Sequence, residues 1–233
     1  MEVIKISIAD NIKIIKENVN QAIANSSRSN DVKIIAVTKT LSAPVIELAL
    51  NEGMIDIGEN KVQELIEKMT IFKDRPNYHM IGHLQSNKVR YIIDNIYLIH
   101  SLDRESLAKE IDKRAKSINK IIDCLIQVNI SEEESKFGIK EEEVISFVEK
   151  LLQYSNINIK GLMTIAPFTQ EEKIIRESFS GLYELNEKLK SRNYKELDMN
   201  ILSMGMSNDY KIAIEEGSNM VRLGTAIFGK RNY

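Results

Sequence analysis

The chain has few of the features that would mark it as something other than an ordinary globular protein. It contains a single cysteine, Cys124, which excludes an intramolecular disulfide and favours a reducing, cytoplasmic setting. The formal net charge is −2 over 233 residues, which argues against a nucleic-acid binder that neutralises phosphates. Apolar stretches of membrane-spanning length and a signal peptide are both absent from the sequence. We therefore expect neither nucleic acid nor a membrane among its partners.

Several motifs of nucleotide and hydrolytic chemistry are also absent. No G-x-G-x-x-G or P-loop motif follows a predicted strand, and no G-x-S-x-G elbow is present. His79 and His83 are four residues apart, but they span a strand and a loop, so a zinc pair is not predicted. His79 is interpreted as a hydrogen-bonded core or interface histidine. The sequence thus predicts no metal site.

The dominant pattern is an alternation of short β-branched runs and segments of helical periodicity. An opening helix is predicted from isoleucine and valine spacings of three or four between Ile8 and Ile23, with Asp10 and Asn11 as candidate caps. Eight strands are predicted at residues 32–37, 55–57, 78–81, 97–99, 121–129, 159–165, 200–203 and 220–223. Helices are predicted at 44–51, 61–73, 87–95, 104–117, 141–154, 170–190 and 207–215.

This alternation is typical of a parallel sheet with helical crossovers. Eight strand–helix repeats in a chain of this length predict a TIM (β/α)8 barrel. We expect one α/β barrel domain over residues 1–233, preceded by the opening helix. A doubly wound open sheet is the main alternative, and the absence of a glycine-rich nucleotide loop argues against it.

In such a barrel, functional residues lie at the carboxyl ends of the strands. The stretch KIIAVTKT places Lys39 just after the first predicted strand, although lysine is among the residues least tolerant of burial. One interpretation is an amine that extends to solvent. The other is a reactive amine, because a partly apolar pocket favours the uncharged form, which attacks carbonyls to form a Schiff base.

Small and polar residues follow the last two predicted strands. Ser207 is predicted at a helix N-terminus, where the hydroxyl, the amides and the helix dipole favour an anion. Each residue also has an ordinary interpretation: Ser207 as a helix cap, Gly224 as a turn and Arg222 as half of a salt bridge. Together with Lys39 at the same face of the barrel, they favour a ligand with both a phosphate and an aldehyde.

The same segments resemble the pyridoxal phosphate homeostasis protein family. The similar motifs occur in order from Val32 to Gly229: AVTKT, IGEN with VQE, HMIGHLQSNK, ESKFG, GLMTIAP, LSMGMSND and VRLGTAIFG. The resemblance implies a single barrel like the N-terminal domain of alanine racemase, which is fold type III of the pyridoxal 5'-phosphate (PLP) proteins. One departure is Lys61, which stands where the family usually has an aromatic residue.

The resemblance also implies roles for particular residues. It implies that PLP is bound covalently as a Schiff base on Lys39 and that Arg222 faces the pyridine nitrogen. It implies that the amides of Gly224 and Thr225, together with Ser207, hold the phosphate. Asn60 and His83 match positions that line the mouth of the pocket in the family.

Two functions remain open at this point. In the first, the protein maintains intracellular PLP (vitamin B6) homeostasis and passes the cofactor to apo PLP-dependent enzymes. In the second, it is a weak amino-acid racemase or a related PLP enzyme. A cation such as Arg222 beside the ring nitrogen weakens the ring as an electron sink, and racemases of this fold use a second domain, for which we expect no room before Tyr233. We therefore favour the homeostasis protein and expect a monomer.

Overall fold

The computed structural model describes residues 7–28, 31–131, 137–192, 194 and 197–230. Its strands β1 to β9 are Lys33–Val37, Asp56–Glu59, Asn77–Met80, Ile96–Leu102, Ile122–Asn129, Ile139–Lys140, Ile157–Met163, Leu197–Met206 and Met220–Leu223. Its helices α1 to α8 are Ile8–Asn25, Ala43–Asn51, Val62–Phe72, Glu105–Ser117, Val144–Leu151, Glu172–Ser191, Tyr210–Glu215 and Thr225–Phe228. Two 3-10 helices lie at Ser86–Tyr91 and Glu141–Glu143.

Eight of these strands close into a parallel barrel. The strand order is β4-β3-β2-β1-β9-β8-β7-β5, and the pairing of β4 with β5 closes the ring. The two-residue strand β6 lies outside the ring and pairs only with β5 among the described strands. The predicted (β/α)8 barrel with an N-terminal helix is therefore confirmed, and β6 is an addition that the sequence pattern did not indicate.

The barrel strands separate two apolar cores, because successive side chains of a strand point to opposite faces. The inner core fills the barrel with Ile35, Leu98, Leu125, Met163 and Met220. A larger outer core lies between the strands and the surrounding helices. Cys124 belongs to the outer core and is fully buried, as expected for a small apolar side chain.

Helix α1 packs across the outside of the barrel beside α7 and α8. Its buried stripe is Ile12, Ile15, Val19 and Ala22. Of the two predicted caps, Asp10 caps the helix only as the N3 partner of Ser7, which is the N-cap and forms a capping box with it, and Asn11 as a cap was wrong. The amide of Asn11 instead donates to the carbonyl of Ile227 at 2.9 Å, which connects α1 to α8.

Two predicted helices also differ from the structure. The segment predicted as a helix at 87–95 forms a 3-10 helix, Ser86–Tyr91, followed by turns. The helix predicted from Ser207 begins at Tyr210, with Asp209 at the N-cap. Residues 134–136 of the ESKFG motif lie outside the described residues. In the part of the chain that the structure describes, we find no helix long and apolar enough to cross a bilayer.

Candidate functional site

The sequence-predicted site residues lie at the carboxyl ends of neighbouring strands. Lys39 follows β1, and β1 pairs with β9, in which Arg222 lies opposite Ile35. Ser207 follows β8, which pairs with β9. Asn60 and His83 follow β2 and β3, on the other side of β1. The barrel therefore brings these residues to one continuous arc of its rim.

Arg222 is the buried cation of this arc. It lies inside the barrel with 4% of its surface exposed, and it donates from Nη1 to Ser203 Oγ at 2.6 Å and from Nη2 to the Thr164 carbonyl at 2.8 Å. Burial lowers the pKa of Arg222 to about 10, although the charge of Asp209 raises it. The guanidinium is thus charged at neutral pH, and it has further N–H groups with which to bind a ligand.

Ser207 connects the end of β8 to the start of α8. Its Oγ accepts hydrogen bonds from the backbone N–H groups of Gly224 at 3.2 Å and Ala226 at 3.1 Å. The expectation that Ser207 itself begins a helix was wrong, but the hydroxyl contacts the first turn of α8 instead. Thr225 lies between the two donors and is exposed. Backbone N–H groups at a helix start favour an anion, so this edge presents a small cradle for a phosphate.

Gly205 allows the chain to approach α7 closely just before Ser207. Its φ is +93°, and a Cβ at this position would lie 2.6 Å from the Cβ of Ala213. A larger residue would therefore both strain the backbone and push α7 outwards. The glycine sets the path that places Ser207 against the first turn of α8.

The segment around Lys39 is held by contacts from α3. Lys68 Nζ donates to the Thr38 carbonyl at 2.7 Å, and the Thr40 N–H donates to Glu64 Oε2 at 2.6 Å. Thr40 has a φ of +62°, a left-handed conformation that is costly for a β-branched residue. These contacts on both neighbours of Lys39 hold the turn from which its half-buried side chain extends.

Below this turn lies a buried group of charges that sequence reasoning missed. We call Glu59, Glu64 and Lys68 the ion cluster. The fully buried Glu59 accepts hydrogen bonds through Oε1 from Lys68 and from Thr38 Oγ1, the latter at 2.5 Å. Its Oε2 is buried with no hydrogen-bond partner among the described residues. Burial raises the pKa of Glu59, although Lys68 and Thr38 counteract the rise.

Asn60 and His83 lie in the loops that follow β2 and β3, at the rim of the barrel. The loops after β2 and β3 touch, since a Cβ on Gly82 would lie 2.5 Å from the Asn60 carbonyl oxygen. His83 is half-buried, its Nδ1 lies 3.2 Å from Asp103 Oδ2, and its ring stacks on Phe137 at 4.1 Å between centroids. Asn60 is exposed. Both side chains are therefore available at the rim beside Lys39.

Two grooves lie beside α1, away from Lys39. One, of about 260 Å³, is lined by residues of α1, β1 and the start of β2, including Asp56. The other, of about 480 Å³, lies between α1 and the loop after β8 and borders Ser207 from the outside of the barrel. Lys39 lines neither groove, so the candidate site rests on convergent polar groups and not on cavity size.

The residues on the arc fit a ligand with an aldehyde, an aromatic nitrogen and a phosphate. Lys39 supplies an amine, Arg222 a buried cation, and Ser207 a hydroxyl at the first turn of α8, where an anion is favoured. Across the described residues, no three His, Cys, Asp or Glu side chains are grouped so that they could hold a metal ion.

The comparisons with known proteins agree with this arrangement. Residues 11–232 match the family model of the alanine racemase N-terminal domain. The chain is 42% identical over 219 residues to the pyridoxal phosphate homeostasis protein of Aquifex aeolicus, covering 93% of this chain and 95% of that protein. This chain belongs to the pyridoxal phosphate homeostasis protein family. The resemblance seen in the sequence motifs is thus confirmed.

Solved structures of other proteins share the barrel fold. The structure of PipY from Synechococcus elongatus with PLP bound is 29% identical, with a TM-score of 0.84, and the match covers 96% of this chain and all of that one. An alanine racemase of Clostridium difficile is 16% identical with a TM-score of 0.76, and this chain covers 57% of it. That second likeness shows a shared barrel fold only.

Proposed function

We propose that this protein binds PLP and serves in PLP homeostasis, with the cofactor held as a Schiff base on Lys39. The observation that supports this most is the convergence of an amine, a buried guanidinium and an anion cradle on the adjacent strands β1, β9 and β8. The relatives named for PLP homeostasis, and the related structure with PLP bound, support the same ligand.

PLP, when bound, supplies an aldehyde that condenses with amines and a ring that withdraws electrons. The chain's own residues do the rest. Lys39 provides the amine at the end of β1, and the contacts of Thr38 and Thr40 with α3 orient the turn from which that amine extends. Arg222, charged and buried, is the residue that we assign to the pyridine nitrogen.

The assignment of Lys39 is tested by chemical trapping. The purified protein loaded with PLP should absorb visible light, and borohydride should fix the cofactor to the peptide that contains Lys39. Lys61, exposed at the start of α3, is the matched control, and Lys61→Ala should leave the labelling unchanged. In Lys39→Ala, PLP should still bind noncovalently but more weakly. Labelling of a different lysine in the native protein would overturn the assignment.

The phosphate cradle makes a separate contribution. A charge-assisted hydrogen bond is worth roughly 1.5–3 kcal/mol, so Ser207→Ala should weaken PLP binding by about tenfold, the lower end of that range. Pyridoxal, which lacks the phosphate, should bind far more weakly than PLP. Equal affinity for both compounds would contradict the phosphate site that we assign to Ser207, Gly224 and Thr225.

We propose that the cofactor is passed on to apo PLP-dependent enzymes and that amino-acid turnover is slow. The charged guanidinium of Arg222 disfavours protonation of the ring nitrogen, which limits proton abstraction from bound amino acids. Incubation with L- and D-alanine in deuterated water tests the racemase alternative. Proton exchange at about 1 s⁻¹ or faster would contradict slow turnover and support the racemase function instead.

The transfer of the cofactor needs its own experiment. The loaded protein is mixed with an apo PLP-dependent enzyme and a scavenger of free PLP, and the activity of the recipient is followed. Recovery of activity despite the scavenger supports direct transfer, whereas complete capture by the scavenger contradicts it.

We also propose that the protein acts as a monomer in the cytoplasm. The single cysteine supports that compartment, and sedimentation of the purified protein checks the monomer.

A further inference from the structure

A continuous row of hydrogen-bonded polar side chains crosses the interior of the barrel. We call Asp56, His79, His100, Ser203 and Arg222 the histidine chain. Asp56 Oδ1 lies 3.0 Å from His79 Nε2, His79 Nδ1 lies 3.0 Å from His100 Nε2, and His100 Nδ1 lies 2.9 Å from Ser203 Oγ. Ser203 Oγ in turn accepts from Arg222. The chain therefore runs from the amino end of β2 to the guanidinium of the proposed cofactor site.

All five members are buried in an otherwise apolar interior. His79, His100 and Ser203 have no exposed surface, and Asp56 and Arg222 have at most 6%. The inner core of Ile35, Leu98, Leu125, Met163 and Met220 fills the same barrel. Polar side chains in such surroundings are costly unless every group is paired. The geometry of the row must therefore satisfy each donor and acceptor in turn.

Only one direction of hydrogen bonding satisfies the row with both histidines neutral and Asp56 ionised. The Asp56 carboxylate can only accept, so His79 must donate from Nε2–H and accept at Nδ1. His100 must then donate from Nε2–H and accept at Nδ1, which leaves the Ser203 hydroxyl as the donor to His100. Arg222 can only donate, and Ser203 Oγ accepts from it. Each hydrogen bond of the row then has one donor and one acceptor.

The charges along the row favour this neutral arrangement. Burial lowers the pKa of His79 despite its bond to Asp56, and burial with repulsion from His79 and Arg222 lowers the pKa of His100 well below its ordinary value. Burial alone would raise the pKa of Asp56, but the contacts with His79, Asn77 and Lys33 bring it below its ordinary value. The row thus has one charge at each end and neutral rings between.

We propose that the histidine chain is a positioning device for Arg222, in which Asp56 at the amino end of the barrel sets the tautomers of both histidines and so fixes Ser203 as an acceptor for the guanidinium. His79 and His100 act through Ser203 and do not touch the ligand. Because the role of Arg222 towards PLP is part of the proposed function, this inference rests on that function. The direction of the hydrogen bonds does not depend on the proposed function.

The direction is tested first on the protein without PLP. The chain has three histidines, and His83 at the rim serves as the internal reference. Nitrogen-15 NMR of histidine-labelled protein near neutral pH should show His79 and His100 as neutral rings protonated at Nε2. A charged ring, or a ring protonated at Nδ1, at either position would overturn the proposal whether or not PLP binds.

The consequence for the ligand is tested with matched variants of His100. An asparagine amide can take the place of Nδ1 and a glutamine amide that of Nε2. His100→Asn should therefore keep the acceptor for Ser203 and retain PLP affinity and absorption spectrum close to those of the unmodified protein. His100→Gln should lose that acceptor, weaken PLP binding by about tenfold and shift the absorption of the bound cofactor.

The Ser203 position gives a second pair of variants in case His100→Gln does not fold. Ser203→Ala removes the link and should behave like His100→Gln, whereas Ser203→Thr keeps the hydroxyl and should restore binding and spectrum. Unmodified affinity and spectrum in folded Ser203→Ala would overturn the positioning role. If the unmodified protein fails to bind PLP, the proposed function is wrong. The NMR result still decides the direction of the hydrogen bonds along the histidine chain.

Discussion

The wall of the barrel has two buried polar assemblies on its opposite faces. On the outer face, the ion cluster of Glu59, Glu64 and Lys68 lies between the barrel and α3 and holds the turn at Lys39. On the inner face, the histidine chain lies inside the barrel and ends at Arg222. The first uses opposite charges in contact, and the second uses neutral rings between charges that are far apart.

The two assemblies solve different problems. The ion cluster fixes backbone: Lys68 binds the carbonyl of Thr38, and Glu64 binds the N–H of Thr40. The histidine chain orients one side chain, the guanidinium of Arg222, through the neutral hydroxyl of Ser203. A carboxylate hydrogen-bonded to Arg222 would occupy N–H groups that the ligand needs. We infer that the neutral contact with Ser203 leaves the remaining N–H groups for binding.

The largest effect should follow from breaking the ion cluster. Lys68→Met keeps the length of the side chain but leaves the buried Glu59 carboxylate without its cation. Removing one partner of a buried pair costs about 3–5 kcal/mol, so the free energy of unfolding in urea should fall by that amount. The double variant Lys68→Met with Glu59→Gln is the control and should recover much of the loss. No recovery would show that Lys68 acts through packing alone.

The same variant should show a particular pH dependence. The pKa of Glu59 is raised above its ordinary value of 4.5 in the folded protein, so the folded state binds this proton more tightly than the unfolded chain. The contribution of Glu59 to the free energy of unfolding is present below pH 4.5 and is lost as the pH rises through the pKa of Glu59 in the folded protein. Lys68→Met raises that pKa further, so the stability deficit should grow from acid to neutral pH. A deficit that is constant with pH would contradict the charge argument.

An intermediate effect should follow from breaking the histidine chain. Ser203→Ala leaves an N–H of Arg222 and the Nδ1 of His100 without their partner, which should cost about 1–3 kcal/mol of unfolding free energy. Because the folded pKa of each buried ring is lowered, this deficit should not change with pH above the ordinary histidine pKa of 6.5. Urea unfolding at several pH values measures the loss of unfolding free energy in Ser203→Ala and in Lys68→Met. The same pH dependence in both variants would contradict the difference between the two assemblies.

The smallest effect should come from the edge of the ion cluster. Thr38→Val preserves the shape of the side chain but removes the hydroxyl that donates to Glu59 Oε1. Lys68 still binds that oxygen, so the loss should be about 1 kcal/mol. Thermal unfolding of this variant beside Lys68→Met should show the smaller shift. A loss as large as that of Lys68→Met would place Thr38, and not the cation, at the centre of the cluster.

Much of the fold could be predicted from local patterns. All eight barrel strands were predicted near their observed positions because short β-branched runs alternate with amphipathic segments over the whole chain. The cap of α1 was also a local signal, since Ser7 and Asp10 have capping-box spacing, and it was misassigned. The 3-10 helix Ser86–Tyr91 could not be told from an α-helix, because both place apolar residues three or four apart.

The candidate site was predictable only in part. Positions at the carboxyl ends of parallel strands indicated Lys39, Ser207, Arg222 and Gly224, and the family resemblance implied Asn60, His83 and Thr225. The ion cluster was missed, although the spacing of Glu64 and Lys68 was a weak helical signal. The hydrogen-bond partners in the histidine chain left no local signal in the sequence, since His100 and Ser203 are 103 residues apart.

The sequence by itself determined the order of strands and helices and the end of the barrel at which the candidate site lies, because both follow from the period of apolar residues and the residues next to each strand. Only the tertiary structure decided which buried polar groups meet. A charged or imidazole side chain in a strand has the same local signature whether or not its partner exists. Its pairing depends on the register of distant strands around the closed barrel, which places His79, His100, Ser203 and Arg222 on one inner face.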